Sequence, residues 1–171
     1  CSFRGNVHGT QKVGGLVGAG VNIFDSFATG KVTGYEIVGG FAGVAGTFSG
    51  GQIKNCYASV IMDYGASSSA VVGGFAAQSN NVTLTSCYWN KQLANLNTSA
   101  GLSNTYGKTT AEMQTTSTYV DWDMVSIWEH SLDQNGGYPQ IRLAPATMVF
   151  NHQEFQIELL PSASTNGLLS I

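Results

Sequence analysis

The residues best suited to recognition in this sequence are three aromatics. Phe27, Tyr57 and Tyr88 lie 30 and 31 residues apart, each just after a small residue: Ser26, Cys56 and Cys87. If the fold lines these positions up on an outer face, they form a flat strip able to hold sugar rings or a partner's apolar side chains. If it turns them inward, they are ordinary core. The neighbouring Ala28 and Ala58 compete for the inside, so alternation alone leaves both arrangements open.

Other combinations carry less chemistry. Asp121 and Asp123 would share a face of an extended segment, as paired glycosidase carboxylates do, or be solvated acids beside Trp122. The run Asp133-Gln134-Asn135-Gly136-Gly137 resembles the start of a calcium loop but has no glutamate at the twelfth position. His8, His130 and His152 stand in unrelated contexts, and His152-Gln153-Glu154 lacks the second histidine of a metallopeptidase motif. There is no nucleophile elbow, phosphate-binding glycine loop or CxxC pair. The expectation is therefore no catalytic residue, no metal and no cofactor, with Phe27, Tyr57 and Tyr88 as the ligand-binding residues.

Internal repetition decides what positions these residues. Val13-Gly14-Gly15-Leu16-Val17-Gly18 recurs as Val38-Gly39-Gly40-Phe41-Ala42-Gly43 and as Val72-Gly73-Gly74-Phe75-Ala76-Ala77. Residues 1–9 align without gaps on residues 26–34, and Cys56-Tyr57-Ala58-Ser59 and Cys87-Tyr88-Trp89 continue the register. A period of 25, lengthening to 30 and 31, is too short for a helical pair and suits stacked coils of short strands. The added residues fall at Gly46 to Gly51 and Gly65 to Ala70, where loops around Phe48 and Tyr64 offer a second contact surface. The Gly-Gly pairs mark corners where a side chain would collide or φ must be positive. The expected fold is all-β, a parallel β-helix or β-solenoid, in which stacking rungs about 4.8 Å apart align equivalent residues in columns. Val7, Val32 and Met62 form one column; Val13, Val38 and Val72 a second; Leu16, Phe41 and Phe75 a third; Asp25, Asn55 and Ser86 a polar corner. Cys56 and Cys87 would neighbour each other as free thiols or a bridge, with Cys1 too far away to join them.

Composition agrees. Only 17 of 171 residues are charged, whereas Gly, Ser, Thr and Asn fill 66 positions. Like charges in a column would repel along its length, while small polar residues form hydrogen-bonded ladders. The net charge of −3, without a basic run, gives nucleic acid no electrostatic footprint. No stretch approaches the roughly 20 apolar residues of a membrane-spanning helix, so the segment is expected to be soluble and not membrane-inserted. A start at Cys1 suggests a mature or excised piece of a longer chain.

VGGLVG at 13–18, VGGFAG at 38–43, VGGFAA at 72–77, SFATGKVTG at 26–34 and NCYAS at 55–59 resemble the GLUG motif of bacterial surface proteins. SCYWN at 86–90, GKTTAEM at 107–113, WD at 122–123 and NGGYPQI at 135–141 resemble the end of such an array, taking the similarity to about residue 143. Related arrays occur in filamentous-haemagglutinin-like adhesins and in the non-catalytic repeats of IgA-specific metallopeptidases. The resemblance implies a non-enzymatic, extracellular cell-surface segment that binds a host or environmental protein or glycan, or a stalk presenting another module. An accessory peptidase region or polysaccharide-active enzyme is a further alternative.

Three regions follow: coils over 1–90; a loop, short helix and terminal cap over 91–143; and a strand tail or following module over 144–171. Thr109-Thr110-Ala111-Glu112 predicts a capping box. Trp122, Val125, Ile127 and Trp128 are expected to cover the open end of the last coil. Gly136-Gly137-Tyr138-Pro139 reads as a turn into a strand over Gln140 to Leu143. Asn151-His152 could turn a hairpin into a strand carrying Phe155, Ile157 and Leu159.

Overall fold

Each repeated segment lies on its counterpart. The computed structural model describes residues 1–46, 50–65 and 69–142, and the backbone of two further strands at Met148–Asn151 and Gln156–Leu159. A first pass runs through β1 (Ser2–His8), β2 (Val13–Gly14) and β3 (Val17–Gly20), and a second through β4 (Ile23–Thr33), β5 (Ile37–Gly39) and β6 (Ala42–Gly46). A third follows through β7 (Gln52–Asp63), β8 (Val71–Gly73) and β9 (Ala76–Asn80), before the chain returns through β10 (Thr83–Thr85) and β11 (Tyr88–Asn90). Three all-parallel stacks result: β1-β4-β7-β11 with β10 also on β7, β2-β5-β8, and β3-β6-β9.

The columns follow the expected register. Val7 pairs with Val32 and Val32 with Met62, while Val13, Val38 and Val72 pair in turn. The Phe41 and Phe75 rings stack at 4.6 Å. The Gly-Gly positions are required by close approach rather than by φ. A Cβ on Gly39 would strike the Ala42 carbonyl, and one on Gly74 would enter the Trp89 indole. Positive φ belongs instead to the polar corner, where Asp25, Asn55 and Ser86 hold 44°, 55° and 48°. Asx and Ser side chains tolerate this left-handed region better than larger residues do. The corner resets the alternation: Ser26, Ala28 and Val32 go inward, while Phe27 joins a separate cluster outside the sheet.

Residues 91–108 are more ordered than a loop. Asn90 accepts from the Gln92 and Leu93 amides to cap α1 (Lys91–Ala94). The Gly74 amide then donates to Thr98 O and the Ala100 amide to Ala76 O, and β12 (Gly107–Lys108) pairs with β11. This is a fourth, abbreviated pass without the repeat's glycine signature.

The terminal segment corrects the expected position of the cap. The Thr109/Glu112 capping box opens α2 (Thr110–Met113) as predicted. The chain then crosses the outer face of the first sheet instead of closing its end. Trp128, at the start of β13 (Trp128–Glu129), is fully buried, and its Nε1 donates to Asp25 on β4 at 3.2 Å. β13 pairs antiparallel with β14 (Gln140–Ile141), and Arg4 on β1 donates to Asn135 at 3.0 Å and Gln140 at 2.8 Å. This strap thus spans the sheet from its last pass back to its first. Val125 stays 82% exposed and Ile127 is half-buried, so Val125 takes no part in a cover. The strap lies on the face, not the end, because large rings on the outer side of β4, β7 and β11 need removal from water.

Residues 1–141 form one compact unit and 142–171 a second. In the second, β15 (Met148–Asn151) pairs antiparallel with β16 (Gln156–Leu159). A hairpin forms as expected, but Asn151 belongs to β15 and pairs with Gln156 rather than turning the chain; His152 and Phe155 lie outside the described residues, as do Phe48 and Leu143.

Candidate functional site

The expected aromatic strip does point outward from its sheet, but it is not open. Phe27 and Tyr57 have no exposed surface and Tyr88 retains 5%. Phe27 stacks on Tyr57 at 5.1 Å, and the Arg4 guanidinium sits 5.1 Å above the Phe27 ring. Trp128 lies 6.1 Å from both Phe27 and Tyr57, Tyr119 5.5 Å from Tyr88, and Trp122 4.3 Å from Trp128. Asn135 Nδ2 donates to the Tyr57 hydroxyl at 2.7 Å, and that hydroxyl donates to Pro139 O at 2.7 Å. Burial pushes the Tyr57 phenol far above its usual range, against the opposing hydrogen bond from Asn135. Burial likewise raises Tyr119, whose hydroxyl donates to Met113 O at 2.6 Å. The assignment of Phe27, Tyr57 and Tyr88 as an open ligand-binding strip is therefore corrected: all three anchor the strap, and of the three it is Tyr88 that also borders an open cleft.

The ladder beside them is also enclosed. Asn90 Nδ2 donates to Thr110 Oγ1 at 3.0 Å, the Tyr138 hydroxyl at 3.1 Å and Ser59 Oγ at 3.4 Å. Cys56 and Cys87 are buried free thiols side by side in the stack, and Cys1 is exposed. Burial first, and then the adjacent Cys87, raise the Cys56 thiol well above its ordinary value, which suppresses thiolate chemistry. Asp123 accepts from the Val125 and Ser126 amides at 3.0 and 2.7 Å, which gives its carboxylate a local structural role. Asn135, in the run resembling a calcium loop, spends its amide on Tyr57, Tyr138 and Pro139. His130 faces Thr116 and Gly137 O, and His8 meets the Tyr35 ring edge-on at 6.0 Å. Among the described residues, no three His, Cys, Asp or Glu side chains converge to hold a metal ion.

Among the described residues, two concavities are candidates for a site. One, of about 660 Å³, follows the β3-β6-β9 stack past Ala19, Val44 and Gln78, with Lys12 and Asn81 among its lining residues. The other, of about 510 Å³, lies where the strap leaves the last pass, bordered by Tyr88, Tyr106, Lys108, Thr118, Val120 and Asp121. Tyr106 stands 5.7 Å from Tyr88, and Val120 is 59% exposed. This second cleft is the best candidate site. Tyr106, Lys108 and Val120 were missed from sequence because their segment lacks the repeat signature; the aromatic-Gly-Lys run was the one available signal.

The fold and its surroundings define a repeat protein of stacked parallel strands. Within it, the family model of the GLUG motif matches residues 34–61, which run from the end of β4 through most of β7. No curated protein and no solved structure matches the chain.

Proposed function

We propose that this chain is a non-enzymatic, extracellular β-solenoid segment of a bacterial surface adhesin that binds a host or environmental protein or glycan. The observation carrying this reading is the repeated visit to three parallel stacks in one order, with a GLUG motif in the second and third passes. Such a solenoid gains length by adding passes and offers its flanks as an extended surface. Adherence of the purified full chain to epithelial cells and to a glycan array tests it. Saturable binding that unlabelled chain competes away is the expected result; no binding to either surface overturns the adhesin role.

One observation favours a second reading. Among the described residues, the aromatic column that spans three passes, Phe27, Tyr57 and Tyr88, is packed under the strap, as suits a stalk that displays another module and binds nothing itself. A stalk would fail the adherence assay while its parent chain passed it.

A further inference from the structure

The cleft where the strap departs from the last pass gathers several uncommitted polar groups on one surface. Nearby polar side chains are spent: Glu112 accepts from Thr109 at 2.7 Å, Thr118 donates to Glu112 O at 2.6 Å, and Asp123 serves two amides. The Lys108 ammonium, the Asp121 carboxylate and the Tyr106 hydroxyl make no hydrogen bond or ion pair among the described residues, yet all three residues border the same cleft. Its aromatic wall is rigid, because Tyr88 is held between Tyr106 and Tyr119 and Trp122 packs at 6.1 Å. Trp122 is fixed in turn by donating to Ser86 O at 3.1 Å.

We infer that this cleft binds a neutral saccharide, an assignment that deepens the ligand-binding reading above and rests on it. The chemistry matches in three ways. An aromatic ring can take the C–H face of a pyranose, in the way that flat rings combine an apolar body with a polar edge. A donor-only ammonium and an acceptor-only carboxylate serve the two sides of sugar hydroxyls, which donate and accept. One cation and one anion leave the cleft without the net charge that would select an anionic or cationic ligand. The volume of about 510 Å³ lies within the usual range of small-molecule sites and leaves room for more than one sugar unit. Asp121 also holds φ 65°, so the chain accepts a left-handed residue where it presents this carboxylate.

The probe is a panel of neutral gluco-, galacto- and N-acetylhexosamine di- and trisaccharides, titrated into the full chain and followed by amide NMR. At least one is expected to shift the Tyr106, Lys108 and Asp121 resonances saturably. Asp121→Gly removes the carboxylate while keeping the φ that glycine adopts freely, and Lys108→Gln removes the charge from a partly exposed position. Each should weaken binding about tenfold, the size expected for a lost hydrogen bond to a charged group. No shift with any saccharide, selective shifts with amino acids or other charged probes, or unchanged affinity in both variants would each overturn the assignment. Saccharide binding elsewhere on the chain would leave the adhesin reading standing and remove this cleft from it. Failure of cell adherence with the saccharide titration intact would do the reverse.

Discussion

Asn55 shows how one residue sets the direction of several others. It holds φ 55° between Asp25 and Ser86 in the corner column, and its Nδ2 donates to Asp25 at 3.2 Å. The corner converts a run that would alternate steadily into one that sends Cys56 inward and Tyr57 under the strap. Alanine at 55 loses the hydrogen bond and meets the left-handed penalty of an L side chain, a combined cost of about 2 to 3 kcal/mol. Glycine loses the same bond but not the conformation, and should be about 1 kcal/mol less harmful despite its greater unfolded-state freedom. Urea unfolding of both variants measures the difference; equal destabilisation would mean that backbone conformation contributes nothing here. The sequence showed this column as polar and small without showing why. A left-handed φ leaves only a preference for Asn, Asp, Ser or Gly, which a solvated ladder would also produce.

At the scale of elements, the strap is held by burial more than by pairing, since β13 and β14 exchange only two residue pairs. Its rings surround Tyr57 and Tyr119, and burial raises both phenols far above the ordinary 10.0. The sign follows from which form is buried. Below pH 10 both folded and unfolded phenols are neutral, so this contribution to stability is fully present; above it only the unfolded phenols ionise, and stability falls as pH rises. The loss approaches about 1.4 kcal/mol per pH unit for each tyrosine. The denaturant midpoint should therefore drop steeply above pH 10, with tyrosinate absorbance growing together with the loss of native tryptophan emission. Titration of every tyrosine near its ordinary value with native emission intact would show that the strap does not seal them. The capping box of α2 and the columns of the first three passes were legible because they depend on local spacing. The strap's location was not, because Trp128 with Asp25 and Arg4 with Gln140 are separated by 103 and 136 residues and share no period.

Across the whole molecule, low charge is a condition of stacking. Every outward residue of one pass faces its equivalent in the next at about the inter-strand distance, so a single charge is tolerable and a column of one sign is not. The described residues contain one Lys-to-acid ion pair, Lys31 with Asp63 at 2.9 Å, joining adjacent passes through exposed side chains. Being exposed, it contributes little to stability. Seven of the ten acids lie beyond residue 108, outside the regular passes. Ile61 offers a direct test, because it pairs with Lys31 in register and is 52% exposed. Ile61→Lys places two ammonium groups on neighbouring rungs, whereas Ile61→Glu gives Lys31 a second partner, and Ile61→Thr removes the apolar surface without adding charge. At low ionic strength the lysine variant should be about 0.5 to 1 kcal/mol less stable than the threonine variant, and the glutamate variant equal to it or slightly better. In 1 M NaCl the Debye length shrinks to about 3 Å, so the lysine and glutamate variants should converge. If the two are already equal at low salt, cross-rung repulsion is too weak to have kept charge out of these columns, and the scarcity of charge must come from the need for small side chains alone.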